Sequence, residues 1–210
     1  RSTLFPYTTL FRSGSAVSIA VIFLTSGAMF GANDVTVVAF ATELGQKSAA
    51  GAALAAWAAG SFLAALAYGS RSWGWPLWKQ LAAGALALAL GASTFTVAPN
   101  LAVLSALYVL TGLAIAPTIT SGNNIIQVTV APSQLTEGLA WVSTALNIGV
   151  SLGSMVAGRV LDASGSRGGY LLVAGFAWVG AAVTAGSLRV LRRARARLNQ
   201  IGRASCRERV

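Results

Sequence analysis

The chain contains no histidine and a single cysteine, Cys206, among its 210 residues. The absence of histidine excludes His-based metal sites and His-containing catalytic triads. One cysteine cannot form a disulfide within the chain. No Gly-Lys-Ser/Thr phosphate loop occurs, so the sequence does not carry the nucleotide-binding domain of an ATP-driven pump. We therefore expect no metal site, no cofactor and no enzymatic activity.

Charged residues are also scarce, at 10% of the sequence, whereas hydrophobic residues make up 55%. A helix needs ~20 apolar residues to cross a bilayer, and six stretches are that long or nearly so. Asp34 is the only charged residue deep inside one of them. A soluble bundle would instead place Lys and Glu at a 3.6-residue period. The pattern predicts an all-α membrane protein with six transmembrane helices, roughly Ala16–Leu44, Ala49–Gly69, Leu81–Ala98, Leu101–Val130, Gly138–Leu161 and Tyr170–Leu188.

The two ends differ from this composition. When Ile201–Val210 is written as codons, the reverse complement encodes Thr3–Arg12, and the string resembles a sequencing adapter. We interpret residues 1–13 and 201–210 as adapter-derived artefacts, and Gly14–Gln200 as the six-helix transmembrane segment. Because that segment has no initiating Met, we expect it to be a fragment of a longer protein. The alternative is that both ends are native tails.

The basic residues predict the orientation. Lys and Arg are enriched in cytoplasmic loops, and seven lie on one predicted side against three on the other. The first group is Arg71, Lys79, Arg189, Arg192, Arg193, Arg195 and Arg197, and the second is Lys47, Arg159 and Arg167. This distribution predicts a multi-pass protein of the cell (plasma) membrane with a cytoplasmic C-terminus.

Two features are typical of membrane anchoring. The arginines after the last stretch indicate contact with anionic lipid headgroups rather than with nucleic acid. Trp73, Trp75 and Trp78 lie beside Arg71 and Lys79, and indole rings prefer the headgroup level. We therefore expect membrane lipid as a partner and no nucleic acid.

Small residues recur at four-residue spacing, which permits close helix packing in a membrane. Gly27 and Gly31 form one such pair in the first stretch. A longer ladder occupies the fifth stretch and consists of Ala145, Gly149, Gly153 and Ala157. Pro117, in the middle of the fourth stretch, removes a backbone hydrogen bond and predicts a kink.

Three segments carry a family resemblance, namely Phe30–Gly45, Gly112–Thr118, and Thr136–Trp141 leading into Asn147–Gly158. The chain resembles the second half of a major facilitator superfamily transporter of an actinobacterial efflux type. The resemblance implies two inverted three-helix repeats, which together form half of a twelve-helix transporter. Gly69, Arg71, Gly74 and Lys79 are similar to the Gly- and Arg-rich loop of the family, although its central Asp is absent.

Asp34 is the strongest candidate for a functional residue, because it is an ionisable group inside a predicted span. A carboxylate at the bilayer centre costs ~3 kcal/mol on insertion scales, so it must face protein or a water-filled cavity. A carboxyl group in such a site is a candidate for proton coupling. The alternative is a packing residue that is hydrogen-bonded to a polar side chain of a neighbouring helix.

Polar and aromatic residues on the same predicted helices are candidates for a substrate cavity. Residues three or four apart share a helix face, and two polar stripes in the fourth and fifth stretches follow that spacing. They either line a wetted pathway or hold helices together. The candidates are Phe30, Asn33, Trp57, Thr120, Asn123, Asn124, Gln127, Trp141 and Asn147.

The resemblance implies a secondary active transporter that works by alternating access. Aromatic cavity candidates with few charges favour export of a small amphipathic organic compound, and Asp34 is the candidate that couples this export to protons. The expected partners are the small-molecule substrate, protons, membrane lipid and a missing N-terminal six-helix half. A non-transporting membrane subunit or sensor domain built on the same helical bundle is the alternative.

Overall fold

A computed structural model describes residues 14–70, 73–130 and 134–207, with side chains described within 17–187 except at Thr129. These residues form six α-helices and two short 3-10 helices, and no strand occurs among them. The predicted artefact at residues 1–13 lies outside the described residues, and so do the side chains of 201–210. The α-helices are α1 Gly14–Glu43, α2 Ala50–Gly69, α3 Leu77–Thr94, α4 Leu101–Gly112, α5 Ile115–Thr129 and α6 Leu135–Arg207.

Five helical segments of the described chain are long and apolar enough to cross a membrane. The last of them, Leu135–Ser187, contains 53 residues. At 1.5 Å per residue it would measure roughly 80 Å as one helix, far more than the ~30 Å hydrocarbon core. It is broken at Gly165, whose φ of 66° and ψ of −168° are not helical. The break yields six spans, as the sequence predicts.

We number the spans in chain order. Spans 1, 2 and 3 are α1, α2 and α3, span 4 is α4 followed by α5, and α6 supplies span 5 (residues 135–164) and span 6 (residues 166–187). Spans 1 and 5 pack extensively on each other, span 2 packs mainly on span 4, and span 3 packs on α5 and α6.

A side chain of span 1 caps the beginning of span 6. The backbone N–H of Ser166 donates to Glu43 Oε1 at 2.8 Å, and the Ser166 hydroxyl donates to Glu43 Oε2. A carboxylate stabilises the unpaired N–H groups at a helix start. The left-handed φ of Gly165 directs the chain into this cap without the steric cost that a Cβ would add. The end of span 1 is therefore tied to the start of span 6.

Span 4 is interrupted at Leu113 and Ala114, between the end of α4 and the start of α5. The Ala114 N–H donates to Thr111 O at 3.0 Å, which tightens this turn. Pro117 follows directly, has no N–H to donate to the Leu113 carbonyl, and its ring would clash with that carbonyl in a straight helix. The interruption lies where the sequence predicts a kink.

Spans 1 and 5 touch backbone to backbone. A Cβ added to Gly27 or Gly31 would collide with a carbonyl oxygen of span 5, and a Cβ on Gly149 or Gly153 would collide with one of span 1. The Ser154 hydroxyl donates to Gly31 O at 3.0 Å across this crossing. Close backbone approach of this kind replaces the hydrophobic drive that is absent between helices in lipid.

Spans 2 and 4 repeat this crossing. A Cβ on Gly60 would collide with the Val109 carbonyl, and a Cβ on Gly112 with the Trp57 carbonyl. At the first crossing, Gly153 meets the Ala28 carbonyl and Gly31 meets the Val150 carbonyl. In all four helices, the residue whose carbonyl faces the partner's glycine lies three positions before the helix's own glycine. The two crossings thus share one contact pattern, which is consistent with two inverted three-helix repeats, spans 1–3 and spans 4–6.

Candidate functional site

A cavity of about 460 Å³ opens between spans 1, 2 and 4. Two of its lining residues lie one turn apart on span 1, and four lie at helical spacing on span 2. The seventh is Ile115, the first residue of α5. The interruption of span 4 sets the position of that residue, since it begins the second helix of the span. The lining residues are Phe30, Asp34, Leu54, Trp57, Ala58, Ser61 and Ile115.

Among the described residues, Asp34 is the only ionisable one that lines this cavity, and it is exposed there. The described lining residues include no Lys or Arg that would compensate the carboxylate charge. A carboxylate in a membrane span needs water, a partner or a ligand. The arrangement offers an accessible acidic group inside an otherwise largely apolar cavity.

Aromatic rings form the wall beside the carboxylate. The rings of Phe30 and Trp57 meet edge to face with centroids 5.7 Å apart. Trp57 also stacks on Tyr108 at 5.1 Å, which fixes the indole from behind. The buried Trp57 Nε1 has no hydrogen-bond partner. This wall can bind apolar or aromatic groups, and its ring faces attract cations.

Asn33 lies behind the cavity rather than in its wall. It is fully buried, and its Oδ1 accepts a hydrogen bond from the Tyr108 hydroxyl at 2.7 Å. The Tyr108 and Tyr170 hydroxyls are 3.3 Å apart, so the three polar groups form a buried network. Asn33 Nδ2 has no partner in this network. Asn33 therefore supports span 1 from the core side while Asp34 faces the cavity.

The structure brings Phe30, Asp34 and Trp57 together, whereas the other predicted cavity residues lie elsewhere. Thr120, Asn123 and Asn124 of α5 are half-buried and Gln127 is exposed. Trp141 and Asn147 of span 5 are exposed, and Asn147 Nδ2 donates to the Ser143 carbonyl at 2.8 Å. None of these six residues lines the Asp34 cavity.

Four lining residues do not feature in the sequence prediction, namely Leu54, Ala58, Ser61 and Ile115. The three in span 2 share the helix face of Trp57, so spacing from that residue would have found them. Spacing in the sequence could not place Ile115 in the cavity wall, because its position depends on the interruption of span 4. Among the described residues, no group of three or more His, Cys, Asp or Glu could hold a metal ion.

A second cavity, of about 330 Å³, lies at the other end of span 2 beside the loop to span 3. Gln80 organises its polar side, since its amide donates to the Trp75 carbonyl at 2.6 Å and accepts from the Tyr68 hydroxyl. Trp73 and Trp75, two of the predicted interfacial residues, are exposed there. Pro117 also lines this cavity, and Tyr68 is the only ionisable residue among its described lining residues.

The described chain has five membrane-capable segments, which form six spans because the last segment is broken at Gly165. This bundle, with an accessible carboxylate in a cavity between spans 1, 2 and 4, has the architecture of a multi-pass membrane transporter. The chain belongs to the Major Facilitator Superfamily, since the model of that family matches residues 5–207. No curated protein and no solved structure matches the chain. Its function is therefore that of a transmembrane transporter. The boundaries between this segment and the adapter-like ends, at Gly14 and Gln200, stay predictions.

Proposed function

We propose that the protein exports a small amphipathic organic compound by alternating access, and that Asp34 couples this export to protons. The observation that carries the proposal is the exposed Asp34 carboxylate beside the Phe30 and Trp57 rings, with no basic residue in the wall. The rings bind the apolar part of the substrate. The carboxylate binds a proton or a polar part of the substrate.

A lone carboxyl group can exchange a proton with whichever side the cavity opens to. Protonation removes a charge from a low-dielectric site, which lowers the cost of closing the cavity around it. Release of the proton on the other side restores the carboxylate. Such a cycle converts a pH gradient into movement of the substrate, provided that occupancy of Asp34 controls closure.

The proposal includes a second six-helix half that faces this cavity and a location in the cell membrane with a cytoplasmic C-terminus. The Asp34 cavity is open rather than enclosed, and a facing half would close it. The seven basic residues on one predicted side support the orientation.

The test is transport by the full-length protein in proteoliposomes with an imposed pH gradient. We expect saturable movement of fluorescent amphipathic compounds against their concentration gradient. Asp34→Asn should abolish this pumping but retain exchange of substrate at equal concentrations, because Asn keeps the size of the side chain and cannot carry the proton. Asp162→Asn, at an exposed acidic residue near the end of span 5, is the matched control and should pump normally.

Two results would contradict the proposal. If Asp34→Asn pumps against a gradient at the wild-type rate, Asp34 does not couple transport to protons. If neither protein moves any amphipathic compound while both remain folded, the substrate class is wrong.

A further inference from the structure

The second cavity, beside the loop between spans 2 and 3, is polar at one end and apolar along the rest. Its polar end consists of Tyr68, Trp73, Trp75 and Gln80. The other seven lining residues belong to spans 3 and 4, and all of them are Ala, Gly, Leu or Pro. The lining of span 3 extends over seven residues beyond Gln80, which is roughly 10 Å at 1.5 Å per residue. The cavity is therefore an elongated amphipathic groove.

Hydrogen bonds and ring stacking fix the polar end of the groove. Gln80 is buried, and its amide is held by the Trp75 carbonyl and the Tyr68 hydroxyl. The Ser121 hydroxyl donates to Gln80 Oε1 at 3.5 Å. The Tyr68 and Trp73 rings stack with centroids 5.5 Å apart, and Trp73 Nε1 donates to the Tyr68 carbonyl at 3.1 Å. The entrance is thus preorganised, with its aromatic rings held by spans 2, 3 and 4.

The charges near this entrance are positive. Lys79 is exposed, and its ammonium lies 5.5 Å from the centroid of the Trp78 ring. Arg71 precedes Trp73 by two residues in the sequence. No Asp or Glu occurs between residues 44 and 136, so spans 2, 3 and most of span 4 carry no acidic side chain. Basic residues beside a span attract anionic lipid headgroups, and the indole rings prefer the same depth.

The apolar part of the groove suits a hydrocarbon chain. Leu110 and Leu113 of its wall are 63% and 41% exposed, and their neighbours Leu86 and Leu90 on span 3 are exposed as well. Large apolar side chains exposed within the spans are favourable against hydrocarbon and unfavourable against water. The cavity volume of about 330 Å³ lies within the ~300–1,000 Å³ that is typical of ligand sites.

We propose that this groove binds one anionic phospholipid. The phosphate headgroup lies at the level of Trp75 and Lys79, and one acyl chain lies along Ala83 and Ala87 of span 3. The fixed aromatic entrance, the positive charge beside it and the apolar wall below it match the three parts of such a lipid in the order in which they occur. A zwitterionic lipid would fill the groove but gain little from Lys79.

The groove also borders the interruption of span 4. Leu113 and Ala114, the two residues of the interruption, line the groove, and the next residue, Ile115, lines the Asp34 cavity. An acyl chain in the groove covers the interruption and excludes water from it. The bound lipid therefore stabilises the bent form of span 4, and with it the position of Ile115 in the wall of the Asp34 cavity.

Native mass spectrometry of the purified full-length protein tests the site without any transport measurement. The probes are phosphatidylglycerol, which is anionic, and phosphatidylcholine with the same acyl chains, which carries no net charge. We expect one phosphatidylglycerol to bind at least about fivefold more tightly, since each basic residue near the membrane surface contributes about that factor.

Two pairs of variants locate the lipid. Lys79→Gln should weaken phosphatidylglycerol about fivefold, whereas Lys47→Gln, at an exposed lysine of the loop between spans 1 and 2, should not. Ala87→Phe fills the groove and should weaken both lipids at least about tenfold, which corresponds to about two buried methylene groups. Ala65→Phe is its control, because Ala65 is exposed on span 2 and does not line the groove.

Amide hydrogen exchange in nanodiscs tests the contact with the interruption. The Leu113 and Ala114 N–H groups donate to the carbonyls of Val109 and Thr111 at 3.2 and 3.0 Å. Because the acyl chain excludes water from these bonds, peptides that contain them should exchange more slowly in phosphatidylglycerol than in phosphatidylcholine nanodiscs. Ala87→Phe should remove this difference, and Ala65→Phe should keep it.

The proposal is overturned if phosphatidylglycerol binds no more tightly than phosphatidylcholine, or if Ala87→Phe and Ala65→Phe bind it equally well. Displacement of phosphatidylglycerol from the wild-type protein by a fluorescent amphipathic compound would assign the groove to that compound and also overturn the proposal. Unchanged exchange at Leu113 and Ala114, despite tight lipid binding, would reject the seat of the acyl chain against span 4.

Discussion

The contact between spans 1 and 5 predicts a large difference between two glycines of the same helix. Gly153 lies against the backbone of span 1, and a Cβ there would be 2.7 Å from the Ala28 Cα. Carbon atoms prefer a separation of 3.5–4.0 Å, so the helices must move apart by about 1 Å. No rotamer change can relieve this contact because the obstructing atoms belong to the main chain. Overpacking of this kind costs about 1–3 kcal/mol.

Gly158 is the matched control, since a Cβ there would have no neighbour within 4 Å. Replacing either glycine by Ala raises the intrinsic stability of the helix by a similar amount, about 1 kcal/mol. The difference between Gly153→Ala and Gly158→Ala therefore isolates the packing cost. We expect Gly153→Ala to have a free energy of unfolding about 1–3 kcal/mol lower than that of Gly158→Ala.

The assay is reversible unfolding of the purified protein in mixed micelles with increasing SDS, followed by tryptophan fluorescence. Gly60→Ala provides a second readout, because Gly60 has the same place in the crossing of spans 2 and 4. If the two span 5 variants unfold within about 0.5 kcal/mol of each other, the close approach of spans 1 and 5 is wrong.

Two further predictions concern the contacts that hold the spans together. Glu43→Ala removes the cap on span 6, so we expect its free energy of unfolding to fall by about 1–2 kcal/mol in the same assay. Asp162→Ala is the control and should not change it. Equal stability of the two variants would reject the cap. Tyr108→Phe leaves the buried Asn33 Oδ1 without its donor and should cost about 1–3 kcal/mol. Adding Asn33→Leu to Tyr108→Phe should recover part of that loss, whereas strictly additive losses would contradict the Asn33–Tyr108 hydrogen bond.

The spans could be predicted from the sequence because lipid imposes a simple requirement, a long uninterrupted apolar segment. The break at Gly165 falls between the predicted fifth and sixth stretches, Gly138–Leu161 and Tyr170–Leu188. Helix ends were less predictable. α6 runs to Arg207, beyond the end of the predicted sixth stretch at Leu188, and span 4 is divided three residues before Pro117.

The cavity was predictable only in part. Asp34 stands out in sequence because an isolated charge in a span has few structural uses. Its neighbour Asn33 has no such signature, and only the tertiary structure shows that it turns to Tyr108 and not to the cavity. The same ambiguity affects Thr120, Asn123 and Asn124, since polar side chains are useful both in packed helix contacts and in wetted walls. Helical periodicity identifies a face but not what lies opposite it.

The contacts of span 1 with spans 5 and 6 have a consequence for biogenesis. Ser154 and Ser166, which bond to Gly31 and Glu43 of span 1, each follow their partner by 123 residues. At 5–20 residues per second, span 1 waits roughly 6–25 s after its own synthesis before these partners emerge. During that interval the glycine face and the terminal carboxylate of span 1 lack these partners in the nascent chain. We expect the insertion machinery to shelter span 1 until span 5 emerges, and a ribosome that stalls before span 5 to leave an intermediate open to degradation.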